Sequence, residues 1–118
     1  MTVGKDGAAS KLFNEGTIYV EEKGVGIELG GAEGSSAVNR GTVVVGANDG
    51  ETGSWTHGVL IKDQNNAEFT NYGTIDASAD NATAIDVQVE DKTTDGTILN
   101  FGAGSRVLGE VHIQKGVT

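Results

Sequence analysis

Phe69-Thr70-Asn71-Tyr72-Gly73-Thr74-Ile75 decides the fold, because the chain repeats it. An apolar-x-Asn-x-Gly core recurs at Leu12-Phe13-Asn14-Glu15-Gly16, Ala37-Val38-Asn39-Arg40-Gly41 and Ile98-Leu99-Asn100-Phe101-Gly102. The Asn-to-Asn intervals are 25, 32 and 29 residues. Thr17-Ile18, Thr42-Val43 and Thr74-Ile75 extend three of the copies, whereas Ala103-Gly104-Ser105 departs in the fourth. Self-similarity at a period of roughly 20–50 residues marks a solenoid, propeller or array.

A second column follows each Asn: Ile27-x-Leu29, Val59-x-Ile61, Ile85-x-Val87 and Val111-x-Ile113. Its alternation has period 2, the signature of a strand with one buried face. From the column's last residue to the next Asn the spacing is 10, 10 and 13 residues. From Asn to the column's first residue it is 13, 20, 14 and 11, so length variation gathers in one place. The second repeat carries an insertion around Gly50 to Thr56. Solenoids behave this way, holding strand register while insertions leave as loops on one face. No window sustains apolar residues at i, i+3, i+4 and i+7, which argues against helix. The reading is three short strands per repeat: one ending at Asn, one after Gly-Thr, and the alternating column. The predicted fold is all-β, a parallel β-helix of about four coils, with repeats at about 10–34, 35–66, 67–95 and 96–118.

Stacked coils lie about 4.8 Å apart, so Asn14, Asn39, Asn71 and Asn100 are expected to form a ladder of side-chain amides. Asn also tolerates left-handed backbone at a tight turn. Gly16, Gly41, Gly73 and Gly102 are expected to supply positive φ where the chain corners. Isolated hairpin turns use Asn-x-Gly too, but four copies in step with a second column favour the solenoid.

Composition bounds the rest. The 118 residues make one domain, with 19 Gly, no Pro and no Cys. Leu, Ile, Val and Phe number 28, enough for a thin core. A formal charge of −9 and the lack of a basic cluster argue against a nucleic-acid partner. There is no apolar run long enough to span a bilayer, and the Met-Thr-Val start does not read as a signal peptide.

The repeats Asn-x-Gly-Thr-Ile/Val followed by Gly-Ile/Val-x-Leu/Ile resemble those of autotransporter passenger domains of Gram-negative bacteria, of the pertactin and AIDA-like adhesin type. The resemblance covers residues 10–113, and filamentous-haemagglutinin-like exoproteins have similar repeats. It implies a right-handed helix and a surface-exposed or secreted adhesin or virulence protein. Its partners would be a host-cell receptor, a glycan or another bacterial surface protein, with self-association through coil ends. The family's signal peptide and C-terminal outer-membrane barrel have no counterpart here. Thr2-Val3 and Val117-Thr118 read as strand fragments, so the chain is expected to be part of a longer passenger.

A catalytic reading finds little. No HExxH, GxSxG, phosphate loop or calcium-binding nonapeptide is present. His57 and His112 fall two coils apart, too far to share a metal, and read as solvated face residues. Pectate-lyase-like enzymes share the fold and use clustered carboxylates with Arg or Lys. Asp76, Asp86, Glu90 and Asp91 with Lys92 would have to play that part, and scattered surface acids explain them more simply. Asp80-Asn81 and Asp91-Lys92-Thr93-Thr94-Asp95 are acidic loops without the convergence calcium needs. Thr17, Thr42 and Thr74 form one column, but Tyr19, Val44 and Asp76 two residues on deny the double Thr lattice of ice-binding solenoids. No catalytic residue, metal site or cofactor is therefore expected.

The insertion Gly50-Glu51-Thr52-Gly53-Ser54-Trp55-Thr56 is the candidate binding loop, with Asp49 beside it. Trp55 is the only Trp of the chain, and Trp offers a large amphipathic contact at low entropic cost. Asp49, Glu51 and Ser54 would add directional hydrogen bonds. In the competing reading Trp55 folds back and covers the apolar side of the solenoid. A purely structural stalk presenting another domain is the remaining alternative for the whole chain.

Overall fold

The computed structural model describes residues 2–3, 11–21, 24–30, 34–47, 56–62, 66–79, 81–88 and 97–113. Runs rich in Val, Ile and Thr, broken by Gly and Asn, form short strands and nothing longer. Each of four coils contributes three. The first holds β2 (Lys11–Asn14), β3 (Thr17–Val20) and β4 (Val25–Gly30), after a short β1 (Thr2–Val3). The second holds β5 (Ser36–Asn39), β6 (Thr42–Val45) and β7 (Thr56–Lys62). The third holds β8 (Glu68–Asn71), β9 (Thr74–Asp76) and β10 (Ala82–Gln88). The fourth holds β11 (Ile98–Phe101), β12 (Arg106–Leu108) and β13 (Glu110–Ile113).

Strands of successive coils pair in parallel into three sheets, ordered β11-β8-β5-β2, β12-β9-β6-β3 and β1-β4-β7-β10-β13. This is the parallel β-helix of about four coils that the repeats predict. In the third sheet Ile27, Val59, Ile85 and Val111 align, as do Leu29, Ile61, Val87 and Ile113. The second column is thus a stack of core residues. In the first sheet Leu12, Ala37, Phe69 and Leu99 align, and in the second Ile18, Val43, Ile75 and Val107. These three stacks meet inside: Ile27, Leu29, Val43, Val59, Ile61, Phe69, Ile75, Ile85 and Val87 have no exposed surface. Each such side chain contributes about 1.5–3 kcal/mol of burial. The outer coil is less well covered, with Val111 and Ile113 exposed.

The Asn ladder exists, with three rungs. Asn14 Nδ2 donates to Asn39 Oδ1 at 2.8 Å, and Asn39 Nδ2 donates to Asn71 Oδ1 at 2.9 Å. All three side chains are buried. Each amide also holds its own corner: Asn14 and Asn71 Nδ2 donate to the carbonyls of Gly16 and Gly73. Their Oδ1 atoms accept from the Gly16 and Gly73 amides. Main-chain bonds from Arg40 to Asn14, Tyr72 to Asn39 and Gly102 to Asn71 repeat the corner from coil to coil.

Asn100 is not the fourth rung. Register pairs Phe101 with Asn71 and Asn100 with Thr70, so Phe101, half exposed on the outer coil, takes the place in register with the ladder. Asn100 faces out, where its Nδ2 donates to Thr70 Oγ1 at 3.2 Å and Glu68 Oε2 at 3.3 Å. Gly102 accordingly sits one place early, and its Cα lies against the Tyr72 ring rather than over Gly73. The corner from Phe101 to Arg106 is two residues longer than that from Asn71 to Thr74. Gly104, with φ +80°, and a Ser105 N–H to Gly102 O bond at 3.1 Å close it.

Gly41 and Gly73 are needed for a different reason from the one expected. None of Gly16, Gly41 and Gly73 has positive φ; among the described residues Asn66 and Asn81 are the non-glycine residues that do. A Cβ on Gly41 would overlap the Gly16 carbonyl oxygen, and one on Gly73 would overlap that of Gly41. The corners stack backbone on backbone, and glycine leaves the room.

Candidate functional site

Alternation along β10 sets the first cluster. Ile85 and Val87 point into the core, so Asp86 between them points out. Pairing places Leu60 of β7 on one side of it and His112 of β13 on the other. His112 Nδ1 lies 3.1 Å from Asp86 Oδ1, and His57 Nε2 lies 3.2 Å from Asp86 Oδ2. Gln88 Nε2 donates to Oδ2 at 2.7 Å. One carboxylate therefore ties three successive coils.

An ionised carboxylate only accepts, so His57 donates from Nε2 and His112 from Nδ1. His57 is 8% exposed, and among the described residues its Nδ1 has no hydrogen-bond partner. Burial pushes the Asp86 carboxyl up and is the largest single influence. The hydrogen bonds from His57, Gln88 and His112, with the His57 charge, outweigh it and hold the group below the ordinary aspartate value. The two histidines do lie two coils apart, as the spacing indicates. They are not merely solvated face residues, however: His57 is buried, and both close on Asp86. The alignment held a signal for half of this. Glu28, Leu60, Asp86 and His112 all occupy the x position of the alternating column.

Asp76, the other described carboxylate of the expected set, makes its contacts elsewhere. Asp76 belongs to β9 and accepts from Ser78 Oγ at 2.7 Å and Ser78 N at 3.1 Å. The Ser78 hydroxyl and amide, aided by the Arg106 charge, lower its carboxyl against a small opposing effect of burial. Glu90, Asp91, Lys92 and Asp80 lie outside the described residues. Among the described residues no group of three His, Cys, Asp or Glu is placed to hold a metal ion. Thr17, Thr42 and Thr74 align in register, and so do Tyr19, Val44 and Asp76.

A second feature runs along the corner between the first and second sheets. The residues between Asn and Gly are Glu15, Arg40 and Tyr72, one per coil, and Phe13 lies beside them on β2. The Arg40 guanidinium carbon sits 5.4 Å from the centroid of the Phe13 ring and 5.1 Å from that of Tyr72. Cation–π attraction of this kind contributes about 0.5–1 kcal/mol at exposed sites. Phe13 and Tyr72 remain half exposed, at 51% and 48%. The inner positions of the corner carry the ladder, and the outer positions are free to vary.

Asp49, Glu51, Ser54 and Trp55 lie outside the described residues. Their placement in the chain is nevertheless framed. Four residues separate β3 from β4 and five separate β9 from β10, but ten separate β6 from β7. The insertion therefore leaves at the corner between the second and third sheets. Comparison with protein-family models, with curated proteins and with solved structures returned no match.

Proposed function

We propose that this chain is the adhesive, non-catalytic part of a surface-exposed or secreted bacterial protein, resembling an autotransporter passenger. It would attach to a host-cell receptor, a glycan or another bacterial surface protein. The observation that carries this reading is the corner stripe. A repetitive scaffold holds Phe13, Arg40 and Tyr72 exposed on three consecutive coils, with Arg40 against both rings. Aromatic and Arg side chains dominate recognition surfaces, and a solenoid lines them up at fixed spacing. The insertion with Trp55 supports the same reading from another corner. Exposed Phe101, Val111 and Ile113 on the outer coil support self-association.

The test is attachment. Beads coated with the chain should bind host cells or bacteria saturably, and free chain should compete. A stalk would do neither, and coated beads that bind no cell type above an albumin control would sink the adhesive reading. A polysaccharide-cleaving relative would release reducing ends from acidic polysaccharide, with Asp86→Asn abolishing that release.

A further inference from the structure

We propose that the Phe13–Arg40–Tyr72 stripe binds a terminal acidic sugar, a pyranose ring carrying one carboxylate. The inference rests on the adhesive reading and names the ligand class for one surface of it. Arg40 is exposed and held between rings from the coils on either side. Among the described residues its guanidinium has these rings as partners and no carboxylate within salt-bridge distance. The guanidinium carbon lies over both rings, and among the described residues no carboxylate takes its N–H donors. Those donors are left for an acceptor, and a carboxylate matches the guanidinium fork with two parallel bonds.

The rings define the rest of the ligand. Half-exposed Phe13 and Tyr72 offer apolar faces against which the C–H face of a sugar ring packs while its hydroxyls stay in water. Tyr72 is also hemmed in on one side. One edge of its ring lies against Gly102, where a Cβ would overlap it, which narrows the positions open to the ring before a ligand arrives. Three coils at about 4.8 Å spacing span roughly 10 Å, which suits a terminal sugar and its neighbour rather than a long chain. Charge selects further: the formal charge of the protein is −9, so a polyanion is repelled while a single carboxylate can pair with Arg40.

The test is an NMR titration of the intact chain with the methyl glycoside of N-acetylneuraminic acid, its carboxyl methyl ester, and methyl β-galactoside. The acid should shift the amides of residues 13, 40 and 72 saturably. The ester, which removes the ligand's charge and leaves the protein untouched, should bind at least about tenfold more weakly. Arg40→Gln should match that loss, and Arg40→Lys should fall between, because it keeps charge and loses the fork. Equal binding of acid and ester, shifts confined to other residues, or no saturable binding of the acid overturns the proposal. Cell attachment measured in parallel separates the two readings. Attachment that persists while the acid fails to bind removes the sugar and leaves the adhesive function; loss of attachment by the unmodified chain removes both.

Discussion

Asn39 donates its side-chain amide to Asn71 across 32 residues of sequence, at 2.9 Å and with no exposed surface on either residue. Asn39 is also the acceptor for Asn14, so its loss breaks the ladder in the middle. Asn39→Ala is expected to cost about 1–3 kcal/mol, the penalty for leaving buried partners unsatisfied. Asn100→Ala should cost less than about 0.5 kcal/mol, as an exposed surface change does. Urea unfolding of the two variants reads this directly; equal losses would mean that the ladder contributes nothing special.

The glycine corners predict a contrast between chemically identical substitutions. Gly16 has nothing within 4 Å of where a Cβ would sit, whereas Gly41 and Gly73 face the carbonyl oxygen of the coil below. Gly16→Ala should leave stability within about 0.5 kcal/mol of the parent. Gly73→Ala should lose about 1–3 kcal/mol or more, because backbone rather than a flexible side chain would have to move. Thermal melts of both variants, followed by far-UV circular dichroism, check it.

Acid should loosen the third sheet through Asp86. Its carboxyl is held below the ordinary aspartate value in the folded chain. The stabilisation is therefore complete above the unfolded value near ~3.9 and fades as pH falls through the lower folded one. Asp86→Asn should cost about 1–3 kcal/mol at neutral pH, where His57 loses an ionised acceptor. It should also flatten the fall in stability between about pH 5 and pH 2. Urea midpoints across that range, compared between the two proteins, are the measurement. An unchanged acid slope would assign the pH dependence to other carboxylates.

Trp55→Ala addresses the long connection between β6 and β7. As part of a recognition loop, Trp55 should be dispensable for folding, so the variant keeps its melting temperature and loses attachment to cells. A melting temperature several degrees lower with attachment unchanged would instead make Trp55 a cover for the solenoid.

The pattern of the repeats carried most of this architecture. Asn14, Asn39 and Asn71 stack because each sits in a corner whose following Gly-Thr starts the next strand. Asn100 matched the same five-residue pattern by coincidence. Leu99, not Ile98, aligns with Phe69, and that one-place slip turns Asn100 to the outside. The departure at Ala103-Gly104-Ser105 was the visible sign of it. The role of Gly41 was hidden because a close approach between coils and a left-handed φ both call for glycine. His57 was the least legible. Gly58, whose absent Cβ would reach Val45 and Ile75, and the buried Val59 both face the core, so simple alternation misplaces the residue before them.

Strands here pair only with those of the coil before and the coil after, in all three sheets. Tension applied along the polypeptide would therefore meet one coil's bonds at a time rather than the whole fold. An outer coil would peel, lengthen the tether and leave the next coil intact to bear the load. The second repeat, with its 32-residue interval, would release roughly 100 Å of extended chain. A solenoid that yields in such steps would absorb work coil by coil instead of failing all at once.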